Sequence, residues 1–126
     1  MNAKQHDHIL SITSHIPHLV AYNLVNTSID IQEKKKSNII KFSAGGLRDF
    51  TRIAASNPIM WKDIFIQNKI NTSKTIRKFI TNLKVLKKAI ENEDEKKLKQ
   101  LFTKTKTIRK KIIEAGQDIS KPNFGR

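Results

Sequence analysis

The chain has 126 residues, of which 37% are hydrophobic, and a formal net charge of +14. This length suits a single domain and is too short for two domains of ordinary size. The absence of cysteine excludes a disulfide framework, a thiolate metal site and a cysteine nucleophile.

The positive charge is concentrated in the second half of the chain. Residues 1–61 hold seven Lys/Arg against four Asp/Glu, whereas residues 62–126 hold eighteen against seven. Most of these cations are lysines on the polar side of helical patterns, without the stripe of arginines and aromatics that is typical of RNA-binding surfaces. The pattern favours a solvated helix face over a nucleic-acid site.

The first residues do not predict a targeting signal. Residues 1–8, Met-Asn-Ala-Lys-Gln-His-Asp-His, lack the apolar segment of a signal peptide, and no apolar run approaches the roughly 20 residues of a membrane span. A cytoplasmic protein without membrane contact is therefore expected.

Residues 5–30 are predicted to form the first helix, because apolar side chains recur at intervals of three and four. Pro17 lies inside this pattern, where it removes a backbone donor, so a kink or break is expected near Thr13 and Ser14. A kink there would turn Ser14, His15 and His18 toward a common space. Residues 1–42 are thus interpreted as a histidine-bearing helix followed by a polar connector.

A short helix is predicted over residues 43–57, with Ser43 as its cap and the pair Gly45 and Gly46 near its start. Asn57 followed by Pro58 then signals a new helix. Its apolar stripe continues for about 33 residues, or about 50 Å.

Residues 92–95, Asn-Glu-Asp-Glu, interrupt the pattern before a second long helix that ends at Gly116. The short link predicts an antiparallel helix hairpin over residues 58–116, and residues 117–126 form a non-helical tail. No strand is predicted, so the fold class is all-α. Two such long apolar stripes must be buried against another surface, and a second copy of the chain is the simplest candidate.

Two clusters and one tryptophan could carry chemistry. His15 and His18 lie one helical turn apart and could face an anion or donate a proton, but ordinary packed histidines are common and the spacing does not fit the paired-histidine zinc helix. No metal site is predicted. Ser14 beside His15 does not make a catalytic triad, because adjacency in sequence does not give nucleophile-to-base geometry.

The second cluster follows the glycine pair. A helix N-terminus at flexible glycines attracts anions, and the planar donors of Arg52 suit a carboxylate. Alternatively, Asp49 and Arg52 pair with each other on the helix surface. Trp61 is interpreted as core or interface, with a stacking platform as the alternative.

Several segments in order resemble the C-terminal helical domain of the prephenate dehydrogenases, including arogenate and cyclohexadienyl dehydrogenases. These segments are residues 6–7 (His-Asp), 14–18 (Ser-His-Ile-Pro-His), 45–54 (Gly-Gly-Leu-Arg-Asp-Phe-Thr-Arg-Ile-Ala), 57–64 (Asn-Pro-Ile-Met-Trp-Lys-Asp-Ile) and Asn68. The ending, residues 113–118 and 122–126, is similar to the cyclohexadienyl branch. The resemblance covers nearly the whole chain.

The resemblance implies an oxidoreductase of tyrosine biosynthesis that oxidatively decarboxylates prephenate or arogenate with NAD or NADP. It also implies a homodimer. The chain contains neither the glycine fingerprint nor the catalytic histidine of the family's Rossmann domain. It is therefore expected to bind no cofactor, to contain no catalytic residue and to be inactive alone, with the Rossmann domain lost or supplied in trans.

Residue by residue, the resemblance implies that Arg52 clamps the ring carboxylate of the substrate and that His18 lines the substrate pocket. Gly45 and Gly46 match a turn that reaches toward the pocket of the partner subunit. The family positions that support the site are Asp49, Trp61, Ser14 and His15. Two alternatives stay open: a non-enzymatic basic module that binds nucleic acid or an acidic partner, and a dimerising remnant without a substrate site.

Overall fold

The computed structural model describes residues 2–31 and 45–116, and within these ranges the chain is helical without strands, as predicted. It divides into two compact units, Met1–Lys78 and Phe79–Arg126. The predicted connector, the Ser43 cap and the predicted tail lie outside the described residues. None of the helices in the described ranges is both long and apolar enough to cross a membrane.

The first unit begins with a continuous helical stretch. Helix α1, Ala3–Leu10, is capped by Asn2, whose side chain accepts a hydrogen bond from the Gln5 amide in a capping box. A π-helical turn, Ser11–His15, connects it to α2, Ile16–Ile31. The Ile16 amide donates to the Ser11 carbonyl five residues back, which defines the π turn.

This π turn lies where Pro17 predicts a kink or a break. The helix does not break, because Pro17 follows the widened turn and is accommodated in the second position of α2. The predicted interruption is therefore a local change of helical pitch. It inserts one extra residue in the turn that carries Ser14 and His15.

Helix α3, Gly45–Thr51, continues as a 3-10 segment, Arg52–Ala55. Both pack against α2. The Tyr22 hydroxyl of α2 donates to the Ser56 carbonyl at 2.9 Å, which ties the end of the 3-10 segment to this helix.

Helix α4, Pro58–Gln67, begins as the sequence predicts. The Asn57 side chain accepts from the amides of Ile59 and Met60, and Pro58 occupies the first helical turn. The expectation of one continuous helix through residue 91 is wrong. Asn68 adopts φ −109° and ψ 35°, so α4 ends there and α5, Lys69–Glu91, begins after it.

The second unit contains the C-terminal part of α5 and helix α6, Glu95–Glu114. Asp94 caps α6 through the Lys97 amide, and Glu93 turns the chain with φ 53°. Gly116, with φ 78°, follows the helix end as predicted. One groove of this unit is lined by residues of both helices, as expected for the antiparallel hairpin. They include Asn82 and Leu86 of α5 and Leu101 and Thr105 of α6.

Candidate functional site

A cluster of aromatic rings and imidazoles forms where α2 and the preceding π turn meet α4. The His18 ring stacks on Trp61, with ring centroids 3.7 Å apart and planes inclined by 21°. His15 approaches Trp61 edge-on at 6.1 Å and Phe65 at 6.3 Å. Trp61 is 6% exposed, so it is both a core residue and a stacking partner of His18. The structure thus unites the predicted residues His15, His18 and Trp61.

The imidazole of His15 is held in one orientation by Asn68. His15 is 7% exposed, and the Asn68 Nδ2 group lies 3.3 Å from its Nδ1. Burial lowers the pKa of His15; the charge of Asp7 opposes this shift and that of His18 adds to it. The site therefore favours the neutral form of this imidazole.

Asn68 makes the interruption between α4 and α5 part of the site. Its Nδ2 also donates to the Asp7 carbonyl at 2.8 Å, and its Oδ1 accepts from Asn71 Nδ2 at 3.0 Å. These three contacts join helix α1, the π turn and α5. The sequence places Asn68 only within the family resemblance; an asparagine inside an apolar helical period is the signal that could have singled it out.

His18 takes its orientation from its own helical turn. Its Nδ1 lies 2.8 Å from the Ser14 carbonyl oxygen, which can only accept, so Nδ1 carries a proton. Ser14 contributes to the site through its backbone, and its side chain is half-buried. The predicted support by Ser14 therefore has a structural counterpart in the orientation of the His18 ring.

The predicted anion-binding residues lie on the neighbouring segment. Gly45, Gly46 and Asp49 belong to α3. Arg52 is exposed and opens the 3-10 segment that packs against α2. An added Cβ at either glycine would meet no atom of the described residues within 4 Å, so the contacts within this part of the chain do not require glycine there. Helix packing brings this segment to α2, which also carries His18.

Two buried polar atoms in the first unit make no hydrogen bond within the described ranges, Trp61 Nε1 and Thr72 Oγ1. The Trp61 donor belongs to the ring cluster itself. Among residues 2–31 and 45–116, no group of three or more His, Cys, Asp or Glu side chains is arranged to hold a metal ion. The chemistry that the described site offers is ring stacking together with hydrogen bonding.

The chain matches the family model "Prephenate dehydrogenase, dimerization domain" over residues 2–104. It is 38% identical to a cyclohexadienyl dehydrogenase of Zymomonas mobilis over 86% of this chain and 37% of that protein. It is 36% identical to a prephenate dehydrogenase of Bacillus subtilis, over 86% of this chain and 29% of the relative.

A solved structure shows the same similarity. It is the prephenate dehydrogenase of A. aeolicus in complex with hydroxyphenyl propionate and NAD+, with a TM-score of 0.82 and 41% identity. The match covers 89% of this chain and 39% of that one. The chain thus spans about a third of the length of the curated relatives that it matches.

Proposed function

The chain belongs to the prephenate dehydrogenase family, and we propose that it is the part of a prephenate, arogenate or cyclohexadienyl dehydrogenase that forms the dimer and holds the substrate. The complete enzyme would oxidatively decarboxylate its substrate with NAD or NADP. A Rossmann domain, in cis or in trans, would supply the nucleotide site and the catalytic histidine. The product would serve tyrosine biosynthesis in the cytoplasm.

The observation that carries this proposal is the ring cluster of His15, His18 and Trp61. The A. aeolicus enzyme binds hydroxyphenyl propionate, a molecule with a ring, a hydroxyl group and a carboxylate. An indole and two oriented imidazoles can contact such a molecule by stacking and by hydrogen bonds. A substrate with two carboxylates would in addition need cationic or amide donors.

Arg52 is the proposed partner of the ring carboxylate. Its guanidinium can form two parallel hydrogen bonds to a carboxylate, and its segment packs against the helix that carries His18. Gly45 and Gly46 would extend toward the pocket of the second subunit, where a side chain would obstruct the approach. Asp49 would support the arginine segment from α3.

The test uses a fusion protein in which this chain replaces the corresponding C-terminal part of the A. aeolicus enzyme. Arg52→Ala is expected to lower kcat/KM for prephenate by more than tenfold, since loss of a charged contact costs roughly 2 to 4 kcal/mol. Arg48→Ala removes the same charge from an exposed position on α3 and is the matched control. If kcat/KM of the Arg52→Ala fusion stayed within about twofold of the parent value, the proposed contact between Arg52 and the ring carboxylate would be refuted.

A further inference from the structure

The two histidines of the ring cluster are held by partners of opposite hydrogen-bonding character. The amide group Nδ2 of Asn68 can only donate, so His15 Nδ1 must accept at 3.3 Å. A neutral imidazole that accepts at Nδ1 carries its proton on Nε2. His18 has the reverse arrangement, because its Nδ1 faces the Ser14 carbonyl at 2.8 Å.

The orientation of the Asn68 amide is fixed by two further contacts. Its Nδ2 donates to the Asp7 carbonyl at 2.8 Å, and its Oδ1 accepts from Asn71 at 3.0 Å. A reversed amide would place Oδ1 against the Asp7 carbonyl oxygen, which cannot donate, so that bond would be lost; the bond to Asn71 would survive only if the Asn71 amide reversed as well. The donor toward His15 is therefore held in place by the whole network.

From this geometry we propose that Asn68 is a positioning residue, which holds His15 as the Nε2–H tautomer so that His15 donates a hydrogen bond to an oxygen of the bound substrate. Among the residues that the structure describes, His15 Nε2 has no hydrogen-bond partner, so the proton is available to a ligand. His18, in its neutral form, offers the complementary acceptor at Nε2. The substrate role of this donor rests on the function proposed above, whereas the tautomer does not.

The first experiment measures the tautomer directly, by long-range proton–nitrogen NMR spectra of the histidine rings in this chain. His15 is expected to show an unprotonated Nδ1 and a protonated Nε2 above the pH at which the ring becomes charged. A protonated Nδ1, or an even mixture of the two tautomers, would overturn the proposal.

The second experiment changes the partner of His15. Asn68→Asp replaces the donor by an acceptor, so His15 should move its proton to Nδ1. Asn68→Ser removes the amide without adding a charge, and both tautomers should then be populated. Asn23→Asp, at an exposed position of α2, is the matched control and should leave the His15 signals unchanged. Retention of the Nε2–H tautomer in both Asn68 variants would contradict the positioning role.

The third experiment uses the fusion protein with the A. aeolicus nucleotide-binding part. In this fusion, Asn68→Asp should remove the hydrogen bond that His15 Nε2 donates to the substrate. Because the substrate oxygen that accepts this bond does not react, KM for prephenate should rise about tenfold and kcat should stay within about twofold. A switched tautomer with unchanged KM would refute the contact between His15 and the substrate. If the parent fusion were inactive, the proposed function and the substrate contact would fail together, and the NMR spectra would still decide whether Asn68 sets the tautomer.

Discussion

His15 shows how burial and a single amide group determine the state of one side chain. The ring makes edge-to-face contacts with both Trp61 and Phe65, and its Nδ1 faces a donor. Both features disfavour the imidazolium form, because a charged ring would lose hydration and would meet the Asn68 amide hydrogens. Burial of the ring in this packing is the main cause of the lowered pKa of His15.

This lowered pKa makes stability depend on pH in a defined direction. The unfolded chain binds a proton at His15 near its ordinary pKa of 6.5, whereas the folded chain binds it only at lower pH. Stability is therefore expected to fall as the pH decreases below about 6.5, and the loss is complete below the pKa of the folded state. Urea unfolding at several pH values measures this slope. A His15→Gln variant should show a shallower slope, and an equal slope would count against the burial of a neutral His15.

Trp61 contributes the largest buried side chain of the cluster, and its indole N–H has no hydrogen-bond partner within the described ranges. Trp61→Ala is expected to cost about 3 to 5 kcal/mol, because it removes the ring on which His18 stacks. Trp61→Phe keeps a ring and removes the unpaired donor, so its cost should be at least about 2 kcal/mol smaller. Denaturant unfolding provides both values, and equal costs would show that the ring is not the source of stability.

At the scale of elements, local signals in the sequence predict helix ends well. Asn57 with Pro58 begins α4, and Asp94 and Gly116 flank α6, because each of these residues acts within its own turn. Asn68 differs because its contacts reach Asp7 and His15, which lie 61 and 53 residues earlier. The interruption of the predicted long helix depends on this tertiary network, so a helical period alone could not reveal it.

The spacing of residues in the sequence could likewise not predict that His18 stacks on Trp61. The sequence predicts that Ser14, His15 and His18 turn toward a common space, but it does not identify α4 as the neighbour of that space. The π turn also keeps the helix continuous where Pro17 predicts a kink or a break. The family resemblance, rather than periodicity, connected the histidines with Trp61 in a single site.

Helix α3 carries a prediction that separates stability from function. Gly46 lies within the helix, and a Cβ added there would meet none of the described atoms within 4 Å. Gly46→Ala should leave the chain as stable as before or stabilise it by up to about 1 kcal/mol. If the glycine turn reaches the pocket of the partner subunit, the same variant should raise KM for prephenate in the fusion protein. An unchanged KM would remove Gly46 from the proposed site.

At the scale of the whole molecule, the exposed apolar side chains indicate a surface that binds a partner. Within the second unit, Leu83, Ile90 and Phe102 are more than half exposed, and Ala89 is buried. Exposed apolar residues in such number are typical of surfaces that other proteins cover. Together with membership of a dimerization-domain family, they support the proposed homodimer.

The dimer is tested by sedimentation equilibrium of the isolated chain. The expected mass is twice the 14.5 kDa of one chain, and it should persist in high salt, because apolar burial is not screened by ions. A mass of one chain at all concentrations would contradict the proposed dimer. The basic hairpin should retain nucleic acid only at low salt, which separates this account from a nucleic-acid-binding module.

This chain is proposed to supply the substrate-binding part of a dehydrogenase of this family. This proposal is tested most directly by the rate of NAD+ reduction in the fusion with the A. aeolicus nucleotide-binding part, measured with and without prephenate. The fusion is expected to reduce NAD+ only when prephenate is present, and the nucleotide-binding part alone should show no such reduction. A folded, dimeric fusion that binds NAD+ and yet reduces it with neither prephenate nor arogenate would contradict the account.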